Sequence, residues 1–309
     1  MSRLKSMFGL GPSCNICVQL QGDGEQEKRR TRRVQREEKQ EELLVYRAEE
    51  PVVGTVVITP KKNKKLEHTG IKVELIGQIV LTTYERVERQ DFTSVVRPLD
   101  NGGELTGETK FAFEFPTAEK SFDSYDGINA QLRYFLRVTV VRPYTTNVVH
   151  EQEFWVENPQ EEPQTNTGIK MEVGIEEYLH IEFQYDKSHY SLDDVVLGKV
   201  YFVLVKLKIK YMELAVVRRE SMGSGAQVYN ESETVSRFEI MDGNPEPGEN
   251  VPVRLFLKPM NLTPTYRTVN NKFSVKYYLN LVLVDEEDRR YFKQQEIQLW
   301  RRDPNVTSH

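Results

Sequence analysis

The chain has 309 residues, a length that suggests two domains. Aromatic residues make up 10% of it and Val, Ile and Leu recur throughout, which is enough apolar material for two modest cores. The formal net charge of −5 is close to balance, so the chain lacks the basic footprint of a general nucleic-acid binder and any general attraction to membranes. Two cysteines, Cys14 and Cys17, are too few for a secreted disulfide scaffold and point to a reducing compartment. Met1 to Leu10 holds no apolar run of signal-peptide length, and no stretch approaches the ~20 apolar residues of a membrane span. The expectation is a cytoplasmic protein that reaches a membrane only through partners.

Strand signals dominate the pass along the chain. Before the first long one, Gln21 to Glu42 is rich in Lys, Arg and Glu and nearly devoid of apolar residues. Such a run buries no core, so it reads as a long loop, a solvated helix or a disordered insert. Its basic cluster, Lys28 to Arg33, has the composition of an acidic-lipid contact, although a solvated loop is the plainer reading. Val52 to Ile58 is a β-branched run closed by Pro60, and Ile71 to Leu75 alternates apolar with charged residues. Phe111-Ala112-Phe113-Glu114-Phe115 alternates and stops at Pro116, and Leu132 to Val141 is a long apolar run with Arg133 and Arg137 facing away. Asn158 to Gly168, with Pro159 and Pro163, reads as an inter-domain linker. Leu179 to Tyr185, Val195 to Leu207, Val251 to Leu257 and Phe273 to Val284 all read as strands. No segment has the sustained period and caps of a long helix.

An internal repeat organises these elements. Pro51-Val52-Val53-Gly54-Thr55-Val56 is echoed by Val195-Val196-Leu197-Gly198-Lys199-Val200, and Leu132-Arg133-Tyr134-Phe135-Leu136 by Val275-Lys276-Tyr277-Tyr278-Leu279. Two matches in the same order and at nearly the same offset suggest a duplicated β-domain. Short strands separated by turn signals make each copy a sandwich. The reading is all-β, with a domain over 1–158 that includes the charged insert 21–42, a linker over 159–168 and a second domain over 169–309.

No residue set answers to a catalytic role. Cys14-Asn15-Ile16-Cys17 has redox or zinc spacing, but no second ligand pair and no βαβ unit accompanies it, so these read as ordinary strand residues. None of the five histidines lies in a nucleophile motif. Met222 to Ala226 lacks GxSxG spacing and reads as a hairpin loop. No phosphate-cradling glycine motif is present. Asp285-Glu286-Glu287-Asp288 lacks the glycine and spacing of a calcium loop and reads as a charged hairpin turn. The expectation is a non-enzyme with no metal and no cofactor.

The duplicated sandwich, with Phe111 to Pro116 and Arg133 to Leu136, resembles the arrestin superfamily. Gly168 to Glu176, Phe238 to Gly243 and the run from Lys272 to Trp300 are more specific. They resemble the arrestin-like subunit of the retromer coat, the vacuolar protein sorting-associated protein twenty-six family. His68 to Ile71 agrees with it as well. The Ile240-Met241-Asp242-Gly243 loop and the run from Asp285 to Glu296 favour it over the related retriever subunit or a receptor-binding arrestin-domain protein.

The resemblance implies two arrestin-like β-sandwich lobes joined by a short linker. It implies a scaffold role in endosome-to-Golgi retrograde transport, peripheral on the endosome membrane. Family members bind the α-solenoid retromer subunit through a loop whose residues match Ile240 and Met241. The neighbouring Asp242-Gly243 is a turn signal that pushes this apolar pair towards solvent. The second implied site is a groove where family members, with a phox-domain or BAR-type sorting nexin, capture the cytosolic tail of a membrane cargo. Its matching positions are Val173 and Phe292. An extended tail adds to a strand edge while an apolar pocket selects one side chain. The resemblance departs at the site that docks a PDZ-domain sorting nexin, an Asp after a Tyr. Here Tyr46 is followed by Arg47-Ala48, so that contact is not carried over.

Overall fold

The computed structural model describes residues 13–21, 30–36, 39–62, 64–84, 86–116, 120–175, 177–224 and 227–303. Strands β1 (Cys14–Leu20), β2 (Thr31–Arg36), β3 (Lys39–Tyr46) and β4 (Val52–Pro60) come first. They are followed by β5 (Leu66–His68), β6 (Gly70–Thr82), β7 (Val87–Asp100) and β8 (Gly103–Leu105). β9 (Thr109–Phe115), β10 (Tyr125–Asp126), β11 (Ala130–Val141) and β12 (Val148–Val156) complete the first half. The second half begins with β13 (Ile169–Ile175), β14 (Leu179–Tyr185), β15 (His189–Ser191) and β16 (Val195–Val205). The long hairpin β17 (Ile209–Ser224) and β18 (Gln227–Asp242) follows, then β19 (Asn250–Phe256) and β20 (Tyr266–Val269). β21 (Phe273–Asp285) and β22 (Arg290–Trp300) end the described fold. The expected absence of long helices holds among the described residues, where the one helical element is a three-residue 3-10 turn, Lys258–Met260.

The chain divides into two compact units, Met1–Asn158 and Pro159–His309. In the first, a three-stranded sheet runs β1-β4-β9 and a larger one runs β2-β3-β12-β11-β6-β7, with β10 on β11. In the second, a four-stranded sheet runs β13-β14-β16-β19 and a larger one β15-β22-β21-β17-β18, with β20 on β21. Each core is built from the inward alternation of its strands. Leu132, Tyr134, Leu136, Val138 and Val140 are fully buried along β11, as are Val275, Tyr277, Leu279 and Leu281 along β21. Phe135 points to the other face of β11 and is still buried, because Arg133 and Arg137 lie over its ring at 4.3 and 5.2 Å.

The repeat seen in the sequence has a structural counterpart. Gly54 and Gly198 each sit in a middle strand of the smaller sheet, pressed against a neighbouring backbone. A Cβ at Gly54 would lie 2.4 Å from the Gln19 carbonyl oxygen, and one at Gly198 2.3 Å from that of Gln184. Tyr134 donates its hydroxyl to the Phe122 carbonyl at 3.0 Å and accepts from the Phe122 N–H at 3.3 Å. Tyr277 accepts from the Thr263 N–H at 3.2 Å and shares a bond with the Thr263 hydroxyl at 2.9 Å. Just beyond, the Val156 N–H donates to Ser124 Oγ at 2.9 Å, and the Leu299 N–H to Thr265 Oγ1 at 2.9 Å. The parallel pairs match too: Val156 faces buried Tyr46, and Leu299 faces buried Tyr190.

Two sequence expectations are corrected. Part of the charged 21–42 segment is neither loop nor helix: Thr31–Arg36 and the start of Lys39–Tyr46 form an antiparallel hairpin. Its ladder satisfies the backbone, and Val34 joins Leu43, Val45 and Trp155 in a small buried cluster. The flanking Arg32 lies over Trp155 at 5.7 Å and pairs with Glu157 at 3.6 Å. Lys28 and Arg29 lie outside the described residues. The expected hairpin loop at 222–226 does not begin at Met222. β17 continues to Ser224, with Met222 buried, and residues 225 and 226 lie outside the described set.

Alanine at Gly54 or Gly198 is expected to destabilise its unit by about 1–3 kcal/mol through overpacking against a carbonyl that cannot retreat. Gly107→Ala is the control, because nothing lies within 4 Å of its added Cβ. Chemical denaturation compares them, and equal midpoints for Gly198→Ala and Gly107→Ala would refute the close-approach reading.

Candidate interaction surfaces

Ile240 and Met241 do not lie in a loop, as expected, but at the end of β18, the edge strand of the larger sheet in the second unit. The ladder explains how a strand presents both. Met212 pairs with Met241 and Glu213 with Glu239, so Ile240 has no opposite number and forms a β-bulge. A bulge turns the strand locally and brings two consecutive residues towards one side. Both side chains are half-buried. Phe238, opposite Leu214, is 43% exposed. The patch is therefore three apolar side chains on an edge with no further ladder partner among the described residues, flanked by exposed Glu239 and Asp242. Phe238 was not singled out from the sequence, where its alternation with Ile240 was the available signal. The strand is held where it ends. Gly243, at φ 89°, donates its N–H to the Lys210 carbonyl at 2.8 Å, and Asn244 Oδ1 accepts from the Ile209 N–H at 2.8 Å.

Phe292 lies on β22 of the same sheet, opposite Val282, and is 67% exposed. It is not core. Its neighbour Tyr291 pairs with buried Leu283, so alternation sends Phe292 to the outward face. Val173 lies in the other sheet, on edge strand β13, opposite fully buried Ile181. Its side chain is half-buried towards the core, while the outer edge of β13 has no ladder partner among the described residues. Such an edge is a template for an added strand. Ile240, Met241 and Phe292 thus share one sheet, and Val173 belongs to the other.

The remaining candidates have plain structural places. Cys14 is buried and Cys17 exposed on β1, so the CxxC pair points to opposite faces of a strand and shares no ligand site. Burial pushes the Cys14 thiol up, partly opposed by Arg142, so it is not an activated nucleophile. Tyr46 is fully buried in β3, and the Arg47 N–H after it donates to the Glu50 carboxylate at 3.1 Å. Asn158 closes the first unit: its Oδ1 accepts from the Ala48 N–H at 2.7 Å and its Nδ2 donates to the Lys120 carbonyl at 3.1 Å. In the stretch after it, the Gln160 N–H donates to the Arg301 carbonyl at 2.8 Å, and Asn166 Oδ1 accepts from the Ser188 and His189 N–H groups.

Sequence comparison places the chain among known proteins. Residues 10–288 match the family model for vacuolar protein sorting-associated protein 26. The chain is 55% identical over 293 residues to a Dictyostelium discoideum protein of that name, covering 94% of this chain and 83% of the relative. It is 51% identical to the Arabidopsis thaliana 26B protein, covering 96% of this chain and 97% of that one. It is 50% identical to the human 26B protein, covering 96% and 88%. The chain belongs to this family.

The match to this family spans parts of both units and ends in the turn between β21 and β22. That turn is the expected charged hairpin turn, and it is built around Asp285, which is 2% exposed. Asp285 Oδ1 accepts from the N–H groups of Glu287 and Arg289 at 3.0 and 2.9 Å. Oδ2 accepts from Arg289 Nε at 2.7 Å and from the Tyr291 hydroxyl at 3.0 Å. The arrangement sets where β22 begins, and so which face Phe292 takes. Burial alone would raise the Asp285 carboxyl, but the bonds from Arg289 and Tyr291 outweigh it and hold the group below its ordinary 3.8. A depressed carboxylate contributes stability that is present above its unfolded pKa and lost as pH falls through the lower folded value. Asp285→Asn is therefore expected to lower the thermal midpoint at neutral pH. The gap to wild type should narrow as pH falls below 3.8. Thermal melts of both proteins across pH check this, and a gap that stayed constant into strong acid would refute it.

Proposed function

We propose that this chain is the non-enzymatic, arrestin-like subunit of a retromer coat. It links cargo tails and sorting nexins to the α-solenoid subunit for endosome-to-Golgi retrograde transport. The observation that carries the reading is membership of a protein-sorting family over nearly the whole chain. The surfaces support it. Phe238, Ile240 and Met241 on a bulged edge make an apolar anchor of the kind that dominates binding energy when a partner covers it. The α-solenoid subunit is the proposed occupant of this anchor.

Cargo is proposed to use the outer edge of β13 at Val173 together with exposed Phe292, in a groove completed by a phox-domain or BAR-type sorting nexin. An extended tail gains backbone hydrogen bonds at a strand edge, and an apolar contact selects one of its side chains. The mechanism is mechanical. Rigid sheets hold the contact residues in place, and assembly at the endosomal membrane multiplies weak contacts into avidity. The domain limits proposed are lobes at 1–158 and 169–309 with a linker between them. The protein acts from the cytoplasm and is peripheral on the endosome.

Titration of the full chain against the α-solenoid subunit tests this reading. Wild type is expected to bind, and Ile240→Asp with Met241→Asn is expected to weaken binding at least ~100-fold, because a carboxylate would be buried unpaired in an apolar contact. Circular dichroism confirms that the double variant is folded. No binding by wild type would refute the retromer reading, and unchanged binding by the double variant would move the contact elsewhere.

A further inference from the structure

The outward face of the β13–β14 pair carries three metal-ligating side chains that the surfaces above leave unused. Glu172 and Glu182 are direct ladder partners, so their carboxylates lie face to face on the side opposite Val173 and Ile181. Like charges in that position destabilise a sheet. Among the described residues, no Lys or Arg forms an ion pair with either of them. His180 occupies the next position on the same face of β14. Its Nε2 lies 3.9 Å from Glu172 Oε2, too far for a hydrogen bond. One oxygen from each glutamate and a ring nitrogen of His180 all lie within 4.8 Å of one another.

The fourth corner of this patch is Gly174, the ladder partner of His180. As a glycine it places no side chain at this corner, where a Cβ would make ordinary van der Waals contact with His180 Nδ1 at 3.8 Å. Three side-chain ligands around an open corner correspond to three-ligand zinc coordination with water in the fourth place. Calcium and magnesium are poorly served, because they take more ligands and all of them oxygen. Zinc–ligand bonds of about 2.0–2.2 Å require the three donors to close by roughly an ångström. Glu172 and His180, with side chains 67% and 36% exposed, have the freedom to do so.

We propose that Glu172, His180 and Glu182 form a surface site for a zinc-class divalent transition metal, with water completing the coordination beside Gly174. A bound ion would neutralise the facing carboxylates and staple edge strand β13 to β14. The proposal holds whether or not β13 receives a peptide. No spacing motif betrays it, because the ligands come from two strands of a hairpin and meet only once the register is set.

The test is isothermal titration of the full chain, stripped with chelator, against zinc chloride, repeated with Co²⁺ as a visible probe. One saturable site is expected, with a cobalt spectrum of low-coordinate intensity. His180→Ala and Glu182→Gln should each weaken binding at least tenfold, while Cys17→Ser, removing the exposed thiol, leaves it unchanged. Glu172→Gln serves the same purpose if His180→Ala disturbs folding. Absence of saturable binding overturns the proposal, and so does binding that survives His180→Ala in a folded protein or is lost in Cys17→Ser.

Discussion

Burying a tyrosine hydroxyl is costly unless it finds a partner, and this fold depends on meeting that cost twice in the same way. Tyr134 and Tyr277 stand in the middle of the two central strands, fully buried, and each bonds to a backbone segment that crosses ahead of its strand. The crossing segment then supplies a hydroxyl, Ser124 or Thr265, to the N–H of the last strand of its unit. That last strand pairs in parallel with the strand carrying Tyr46 or Tyr190. One buried phenol is thereby tied through a short polar relay to the order of the larger sheet.

The surfaces offered to partners follow from this order. A sheet leaves edges, and in the second unit β18 is an edge of one sheet and β13 an edge of the other. β18 is interrupted by bulges at Val235 and Ile240, which hinder unspecific strand addition and expose side chains instead. β13 is uninterrupted against β14 and offers its backbone. The two edges suit different kinds of partner: side-chain anchoring on β18 and strand addition on β13. Neither requires chemistry, in keeping with a family whose name records sorting.

Much of this was legible before the structure. The β-branched and alternating runs marked most of the long strands, with Leu179–Tyr185 read to the residue. Pro60 and Pro116 marked strand ends. The Gly54/Gly198 and Tyr134/Tyr277 echoes identified the residues that later proved to make equivalent contacts. The 31–42 hairpin was missed because charge alternation with one valine looks like a solvated segment. Only Leu43, Val45 and the distant Trp155 supply the apolar cluster that Val34 joins.

By itself the sequence determined the all-β class, the duplication and the family, because those rest on local alternation and on residue identities repeated along the chain. Tertiary structure decided what depends on register. Ile240 projects from a bulge rather than a loop because two residues of β18 face one of β17. Asp285 is a buried acceptor rather than a surface charge because the turn folds Arg289 and Tyr291 back onto it. Phe292 faces outward because its neighbour Tyr291 takes the other face. A strand exchanges its two faces with every one-residue shift, so no local reading of a run such as Arg290 to Trp300 says which side chains meet solvent.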